Sequence, residues 1–245
     1  MDYGRYHFKK KEELFCALAA MILSAVVAWL LYKSIWGMYV FGIIYPFYKN
    51  AYRKKCIQKQ QKELLIQFKD MILSVSATLL SGYAIENAWK EAEKEICKLY
   101  GEQSYMAMEI REMNAGIRMN QSIEQLFYDF ALRSRNEDII SFSEVFQFAK
   151  RSGGNFGKIM HRSAMRISEK LEIEQEIQTV IAGKRMEQSV MNVVPVGILI
   201  YLNLTSSEFM EPLYGNLFGI IVMTVSFVAY LAALLLSKKM MQIKI

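Results

Sequence analysis

The residues that come nearest to a site for chemistry lie at positions 148–160 and read FAKRSGGNFGKIM. Two adjacent glycines followed by a Gly-Lys pair are similar in composition to the P-loop, whose backbone amides and lysine bind phosphate. That loop requires the spacing G-x-x-x-x-G-K-[ST] between a strand and a helix. Here the interval from Gly153 to Gly157 is one residue too short, and Ile159 follows Lys158 where a metal-binding hydroxyl belongs. The stretch therefore does not predict a nucleotide site.

The same stretch is better explained as a turn between two helices. Apolar residues recur at intervals of three or four on both sides, which is the pattern of one helix face. They are Phe142, Val145, Phe146 and Ala149 before the turn, and Phe156, Met160, Ala164, Ile167 and Leu171 after it. We expect Gly153 or Gly154 to adopt the positive φ of a helix C-cap and Asn155 to cap the next helix.

Other residue types capable of chemistry are scattered along the chain. Glu91, Glu93 and Glu95 alternate along a predicted helix, so their carboxylates do not converge on one point, and a solvated acidic face is predicted. The three cysteines lie far apart and lack metal-ligand spacing. No catalytic, cofactor-binding or metal site is predicted, and the chain is expected not to be an enzyme.

Composition separates the chain into apolar and polar blocks. Of the 245 residues, 53% are hydrophobic although 22% are charged. Residues 14–32 and 217–236 carry no charge, and each stretch is long enough to cross a bilayer core of about 30 Å as a helix. Between them lies a polar block, residues 49–188. The chain is therefore predicted to be a polytopic membrane protein with an inserted helical domain.

About four membrane helices are predicted, in two hairpins. The first hairpin covers residues 14–48. Its second run, residues 35–48, is short for a span and either crosses the membrane or re-enters it. The second hairpin covers residues 189–236 and contains Pro195, which is expected to kink its first helix.

Basic residues gather beside the predicted membrane ends, and basic loops favour the cytoplasm. The N-terminus, residues 1–13, the polar block and the C-terminus, residues 237–245, are therefore predicted to be cytoplasmic. The same clustering explains the net charge of +6 without a nucleic-acid partner.

The polar block is predicted to be an all-α bundle of about six helices. It contains no proline and no alternating apolar run that would indicate a strand. The first helix is expected to end at Ser81-Gly82, the third to break at Ala115-Gly116, and Ser122 to cap the fourth. The fifth helix covers residues 137–151, and the sixth begins at Phe156.

Three segments of the bundle give the chain a resemblance to a known family. They read LLSGYAIENAWKEAEKE at residues 79–95, NAGIRMNQSIEQLF at 114–127 and FAKRSGGNFGKIM at 148–160. The pattern resembles the type II secretion system F-domain family, most closely its TadB/TadC-like branch of tight-adherence (Flp, type IVb) pilus proteins. The positions that match the family's motif are Gly82, Ala88, Gly116, Leu126, Gly153, Gly154 and Asn155. Trp89 departs from it, because leucine is usual there.

The resemblance implies a non-enzymatic platform protein of the bacterial inner (plasma) membrane, without a cofactor. It would couple a cytoplasmic secretion ATPase to the assembly of pilin subunits. Its partners would be that ATPase, a second F-domain protein (a TadB or TadC paralogue), the pilins and the lipid bilayer, in a homo- or hetero-oligomer. Both branches, TadB and TadC, remain open.

The alternative function is a membrane-bound signalling or sensor protein with a helical cytoplasmic transmitter. Such a protein would need a phospho-acceptor histidine. In the polar block that residue type occurs at His161, close to the glycine-rich turn.

Overall fold

The computed structural model describes residues 3–4, 8, 10–32, 41–151, 156–206, 210, 214 and 216–240. Over these residues the chain is all α, as predicted, with eight helices and no strand. In chain order they are α1 Lys10–Tyr32, α2 Phe41–Leu80, α3 Ile85–Tyr100, α4 Tyr105–Arg118, α5 Ile123–Ser134, α6 Glu137–Arg151, α7 Phe156–Thr205 and α8 Leu217–Met240.

The chain forms two compact units. The first unit, called the bundle below, consists of Met1–His7 and Arg53–Ile173, and the second consists of Phe8–Tyr52 and Glu174–Ile245. Of the three points at which the chain passes between units, one follows His7 and the other two fall inside α2 and α7. The polar domain predicted from the sequence, residues 49–188, extends further at both ends than the bundle does.

Two helix boundaries differ from the sequence prediction. α4 does not break at Ala115-Gly116 but continues to Arg118. A glycine costs only about 1 kcal/mol inside a helix. Here the helix ends at Arg118, two residues after Gly116, and Asn120 beyond it adopts a left-handed φ of 63°. α7 does not end near residue 183 but runs through Pro195 as one helix of 50 residues. The predicted third membrane helix is therefore the end of α7.

Aromatic side chains fill the core of the bundle. Phe127 on α5 is fully buried and lies at its centre. Its ring centroid is 5.1 Å from Phe146, 5.6 Å from Phe142, 5.9 Å from Phe68 and 6.3 Å from Trp89. These partners come from α2, α3 and α6, so a single ring joins four helices. Aromatic pairs in this distance range each add about 0.5–1.5 kcal/mol beyond the burial of their area.

The apolar faces of α2 and α6 point into this core. On α2 the buried residues are Leu64, Leu65, Phe68, Met71, Ile72 and Val75. On α6, Phe142, Phe146 and Ala149 are buried, but Val145 is 42% exposed. Val145 lies three residues after Phe142 and so at the margin of the predicted face. The packing of α6 against α5 buries Phe142 and Phe146 and leaves Val145 outside the core.

Replacing Phe127 by alanine should lower the free energy of unfolding of the bundle by about 3–5 kcal/mol, because the cavity would lie in the middle of the core. Phe148 is 74% exposed, and the matched Phe148→Ala variant should change that free energy by less than about 0.5 kcal/mol. Near-ultraviolet circular dichroism of the detergent-solubilised chain during denaturation measures both. Equal losses in the two variants would contradict the placement of Phe127.

Candidate functional site

The three sequence segments that resemble the F-domain motif each contain the end of one helix, the connection that follows it and the start of the next helix. The turns join α2 to α3, α4 to α5, and α6 to α7. Two contacts show that they lie together at one end of the bundle. Lys150 Nζ of α6 is 2.9 Å from Glu124 Oε1 of α5, and a Cβ built on Gly157 of α7 would lie 3.3 Å from Cβ of Leu79 on α2. We call this end of the bundle the motif end.

Gly82 makes the first of these turns possible. It lies two residues after Leu80, the last residue of α2, with φ of +88°, a left-handed conformation that favours glycine. The amide of Gly82 donates to the carbonyl of Leu79 at 3.0 Å, and that of Tyr83 donates to Thr78 at 3.3 Å. These bonds close the end of α2 and direct the chain into α3, where Ala88 is buried in the core.

Gly116 and Leu126, two further motif positions, touch each other across the second turn. Gly116 lies inside α4, and a Cβ built on it would lie only 2.7 Å from Cδ1 of Leu126 and 2.7 Å from Oε1 of Gln121. The side chain of Leu126 packs against the core. The glycine is thus needed here for the close approach of α5 rather than for a break in the helix.

Ser122 precedes α5 as predicted, but its hydroxyl makes no capping bond to the backbone. It donates instead to Glu124 Oε2 at 2.5 Å. Partial burial of Glu124 opposes ionisation, yet the hydrogen bonds from Ser122 and Lys150 outweigh it and lower the pKa of Glu124 to about 2. A carboxylate that stays charged therefore links α5 to α6 at the motif end.

The third turn falls outside the described residues. Gly153, Gly154 and Asn155, predicted to form a C-cap and an N-cap, belong to that part of the chain. The helices predicted on either side are confirmed, because α6 ends at Arg151 and α7 begins at Phe156. Gly157 is buried in the first turn of α7 and Lys158 is exposed there, so both are helical residues.

Large apolar side chains are exposed at or beside these turns. Leu80 is 52% exposed, Tyr83 59%, Met119 76% and Phe148 74%. Exposed basic residues accompany them, among them Arg118, Arg151 and Lys158. Exposed apolar side chains flanked by positive charge are a suitable surface for an acidic protein partner. The sequence predicted the turn at Gly82 but did not indicate this surface, because helical spacing alone does not show which helix ends meet.

The acidic residues Glu91, Glu93 and Glu95 point to different partners. Glu91 accepts from Lys94 at 2.9 Å, Glu93 accepts from Asn114 at 2.7 Å, and Glu95 accepts from the hydroxyl of Ser74. Within the part of the chain that the structure describes, no group of three potential metal ligands occurs. Glu93 links α3 to α4 and Glu95 links α3 to α2, whereas the bond of Glu91 stays within α3.

Two helices are long and apolar enough to cross a membrane among the residues described: Phe156–Thr205, through its C-terminal part, and Phe218–Ser237. Only 6% and 11% of their most apolar stretches are buried. Val193, Tyr201 and Val225, for example, are more than 60% exposed. Helices that expose apolar side chains all round are typical of membrane spans. Of the four predicted spans, the third and fourth are therefore supported.

Polar contacts join residues of the second unit near these spans. Asn203 is 8% exposed and donates to the hydroxyl of Tyr214 at 2.9 Å. The hydroxyl of Tyr230 donates to the carbonyl of Asn192, and Gln188 donates to Ser237. Pro195 lies between these contacts inside α7. Polar groups inside a membrane require such partners because lipid offers none.

A buried polar cluster that the sequence did not reveal lies near the start of α4 and the end of α5. Glu109 is 2% exposed and accepts from Arg133 at 2.8 Å and from the hydroxyl of Tyr3 at 2.8 Å. Burial and then the charge of Glu109 raise the pKa of the Tyr3 hydroxyl, so it remains a donor. More than 100 residues separate Tyr3 from Glu109, a distance at which no local pattern indicates a contact.

Comparison of the chain with protein-family models, curated proteins and solved structures found no match. The resemblance to the F-domain family therefore rests on the sequence motifs.

Replacing Gly116 by alanine should destabilise the bundle, because overpacking costs about 1–3 kcal/mol and outweighs the helix propensity that alanine gains, roughly 1 kcal/mol. Most of this cost should disappear in a Leu126→Ala background, where the methyl groups that meet the new Cβ are absent and the remaining close neighbour, Oε1 of Gln121, is the end of a flexible side chain. A double-mutant cycle from denaturation midpoints measures this coupling. The same cost in both backgrounds would show that the two residues do not share the contact.

The lowered pKa of Glu124 makes part of the stability of the bundle depend on pH. Because the pKa is lower in the folded state, the stabilisation is complete above the ordinary carboxyl pKa of about 4.3 and is lost as the pH falls toward about 2. Near neutral pH the denaturation midpoint of wild type should be higher than that of Glu124→Gln. This difference in midpoint should disappear as the pH falls from about 4.3 to about 2. Glu102→Gln, at an exposed site, is the control. A gap that is independent of pH would contradict this role.

Proposed function

We propose that this chain is a non-enzymatic platform protein of the bacterial inner membrane, in a type II secretion or type IV (Flp, Tad) pilus assembly machine. In that role it couples a cytoplasmic secretion ATPase to the assembly of pilin subunits and works beside a second F-domain protein. The resemblance of three sequence segments to the family motif suggests the role. The observation that carries it is that those three segments meet at one end of the bundle.

The motif end supports a protein partner. Its exposed apolar residues include Phe148 and Met119, and its exposed basic residues include Arg151 and Lys158. Aromatic and methionine side chains are enriched at protein interfaces, and positive charge speeds association with an acidic partner. We assign this surface to the ATPase.

α7 supports the coupling part of the proposal. Near its start, Met160 and Ala164 are buried in the core of the bundle. Near its end, Val193, Ile198 and Leu204 are exposed apolar residues of the candidate span. One helix therefore contains both a core segment of the bundle and a segment suited to lipid. A displacement that the ATPase imposes on the bundle would pass to the membrane through this helix.

The proposal includes four membrane crossings with both termini and the bundle in the cytoplasm. α1 supports the first crossing. Cys16, Ala20 and Ser24 form a buried face four residues apart, while Phe15 and Ile22 are more than 60% exposed. α1 packs against α8 in the second unit. A helix with one small-residue face against protein and apolar residues elsewhere suits a membrane bundle.

The test is retention of the purified secretion ATPase by the detergent-solubilised chain. Phe148→Asp should weaken binding at least about tenfold, since loss of an interface anchor costs about 2 kcal/mol or more. Leu132→Asp is the matched control, because Leu132 is 50% exposed near the other end of α5; it should bind as wild type does. Absence of binding by wild type, or equal binding by both variants, would overturn the assignment.

Incorporation of phosphate at His161 would favour the signalling alternative.

A further inference from the structure

The outer face of α7 carries only positive charge along its first turns. Between Phe156 and Ser168 the helix contains Lys158, Arg162 and Arg166 at intervals of four residues, and no acidic residue occurs in that stretch. All three basic residues are exposed. Because residues four apart lie about 6 Å from each other on one helix face, their charges form a single line. We call these three residues the basic row.

The charges of the basic row are not used inside the bundle. None of its three side chains makes an ion pair or a hydrogen bond in the described part of the chain. Neighbouring cations differ: Lys150 bonds to Glu124 at 2.9 Å, and Lys170, the next residue at the same interval, bonds to Asp138 at 2.8 Å. Helices α3 to α6 each contain both acidic and basic residues. The basic row is therefore a charged surface that has no counter-charge of its own.

An apolar side chain accompanies the basic row. Met165 is 43% exposed and lies three residues after Arg162 on the same outer face. The inner face of this part of α7 is occupied by Met160 and Ala164, which are buried in the core. Methionine suits adaptable protein contact surfaces, and arginine forms paired hydrogen bonds with carboxylates. The row therefore suits a protein segment that presents carboxylates beside an apolar side chain.

The fold of the bundle favours a helix as that segment. An extended peptide gains affinity mainly by adding its backbone to the edge of a sheet, and the described residues contain no strand. A helix satisfies its own backbone hydrogen bonds and places side chains four residues apart at the same interval of about 6 Å. Three carboxylates on one face of a helix of at least about two turns therefore match the three cations of the row.

Contacts with α2 fix the position of the basic row on the bundle. Oγ of Ser76 lies 3.4 Å from Nδ1 of His161, and Gly157 packs closely against Leu79. Lys158 lies between these two contacts in the first turn of α7 and belongs to the motif end as well as to the row. Charges that are held in place before binding lower the cost of forming a complex.

We propose that the basic row is the docking site for an acidic helix of the secretion ATPase, with carboxylates at intervals of three or four residues. This inference rests on the proposed function, since it specifies how the ATPase binds. The charges of the row act before contact and steer the acidic helix toward the bundle. The exposed apolar residues of the motif end hold the ATPase after contact.

The test measures association rates of the purified ATPase with the detergent-solubilised chain at about 0.05 M and about 0.5 M NaCl. Arg162→Glu should lower the association rate at least about fivefold at the lower salt concentration. The difference from wild type should shrink below about twofold at the higher one, because salt screens the charges. Lys98→Glu is the matched control, at an exposed position in the last turn of α3, and should associate within about twofold of wild type at both concentrations.

A photoreactive residue in place of Met165 identifies the partner in membranes that also contain the ATPase. The crosslinked peptide should come from an acidic helix of the ATPase. Crosslinks only to lipid or to a second copy of the chain would overturn the proposal, as would equal association rates for Arg162→Glu and Lys98→Glu. If wild type binds the ATPase and only Phe148→Asp weakens that binding, the docking site is wrong and the platform function stands. If wild type does not bind, both are wrong.

Discussion

The bundle depends on the desolvated aromatic cluster around Phe127. Its rings come from α2, α3, α5 and α6, and Phe156 of α7 adds a further contact to Phe146 at 5.2 Å. Burial of these rings is the main force that holds the bundle together. It also imposes a constraint, because the indole N–H of Trp89 is buried without a hydrogen-bond partner in the described part of the chain. The close packing of the rings outweighs that unsatisfied donor.

Polar groups fix the alignment that apolar packing leaves adjustable. Gln67 of α2 accepts from the amide of Met106 at the start of α4 at 3.0 Å. Asn114 of α4 donates to the carbonyl of Trp89 at 3.3 Å and to Glu93 at 2.7 Å. Each hydrogen bond can form at only one register between its two helices. If one helix shifted along the other, a buried polar group would lose its partner at a cost of about 1–3 kcal/mol. Together they position the helix ends that form the motif end.

In the second unit many apolar side chains are exposed and some polar side chains are buried, the reverse of the bundle. Its long helices carry apolar side chains outward, and its polar side chains, such as Asn203, are the ones that find partners within the unit. In lipid this arrangement is the stable one, because there the unpaired polar group carries the cost and the exposed apolar group does not. The same chain therefore contains two units whose surfaces suit different solvents.

The sequence by itself determined the helical class, most of the apolar faces of α6 and α7, the turn at Gly82 and the two strongest candidate spans, because all of these follow from local spacing, propensity and long uncharged runs. It did not determine the continuity of α7, the role of Gly116, or the partners of Tyr3 and Glu109. Those depend on residues that are distant in the chain: Leu126 dictates that Gly116 has no side chain, and Glu109 gives Tyr3 its buried acceptor. Only tertiary packing decided them, because a local pattern records which face of a helix is apolar but not which helix lies against it.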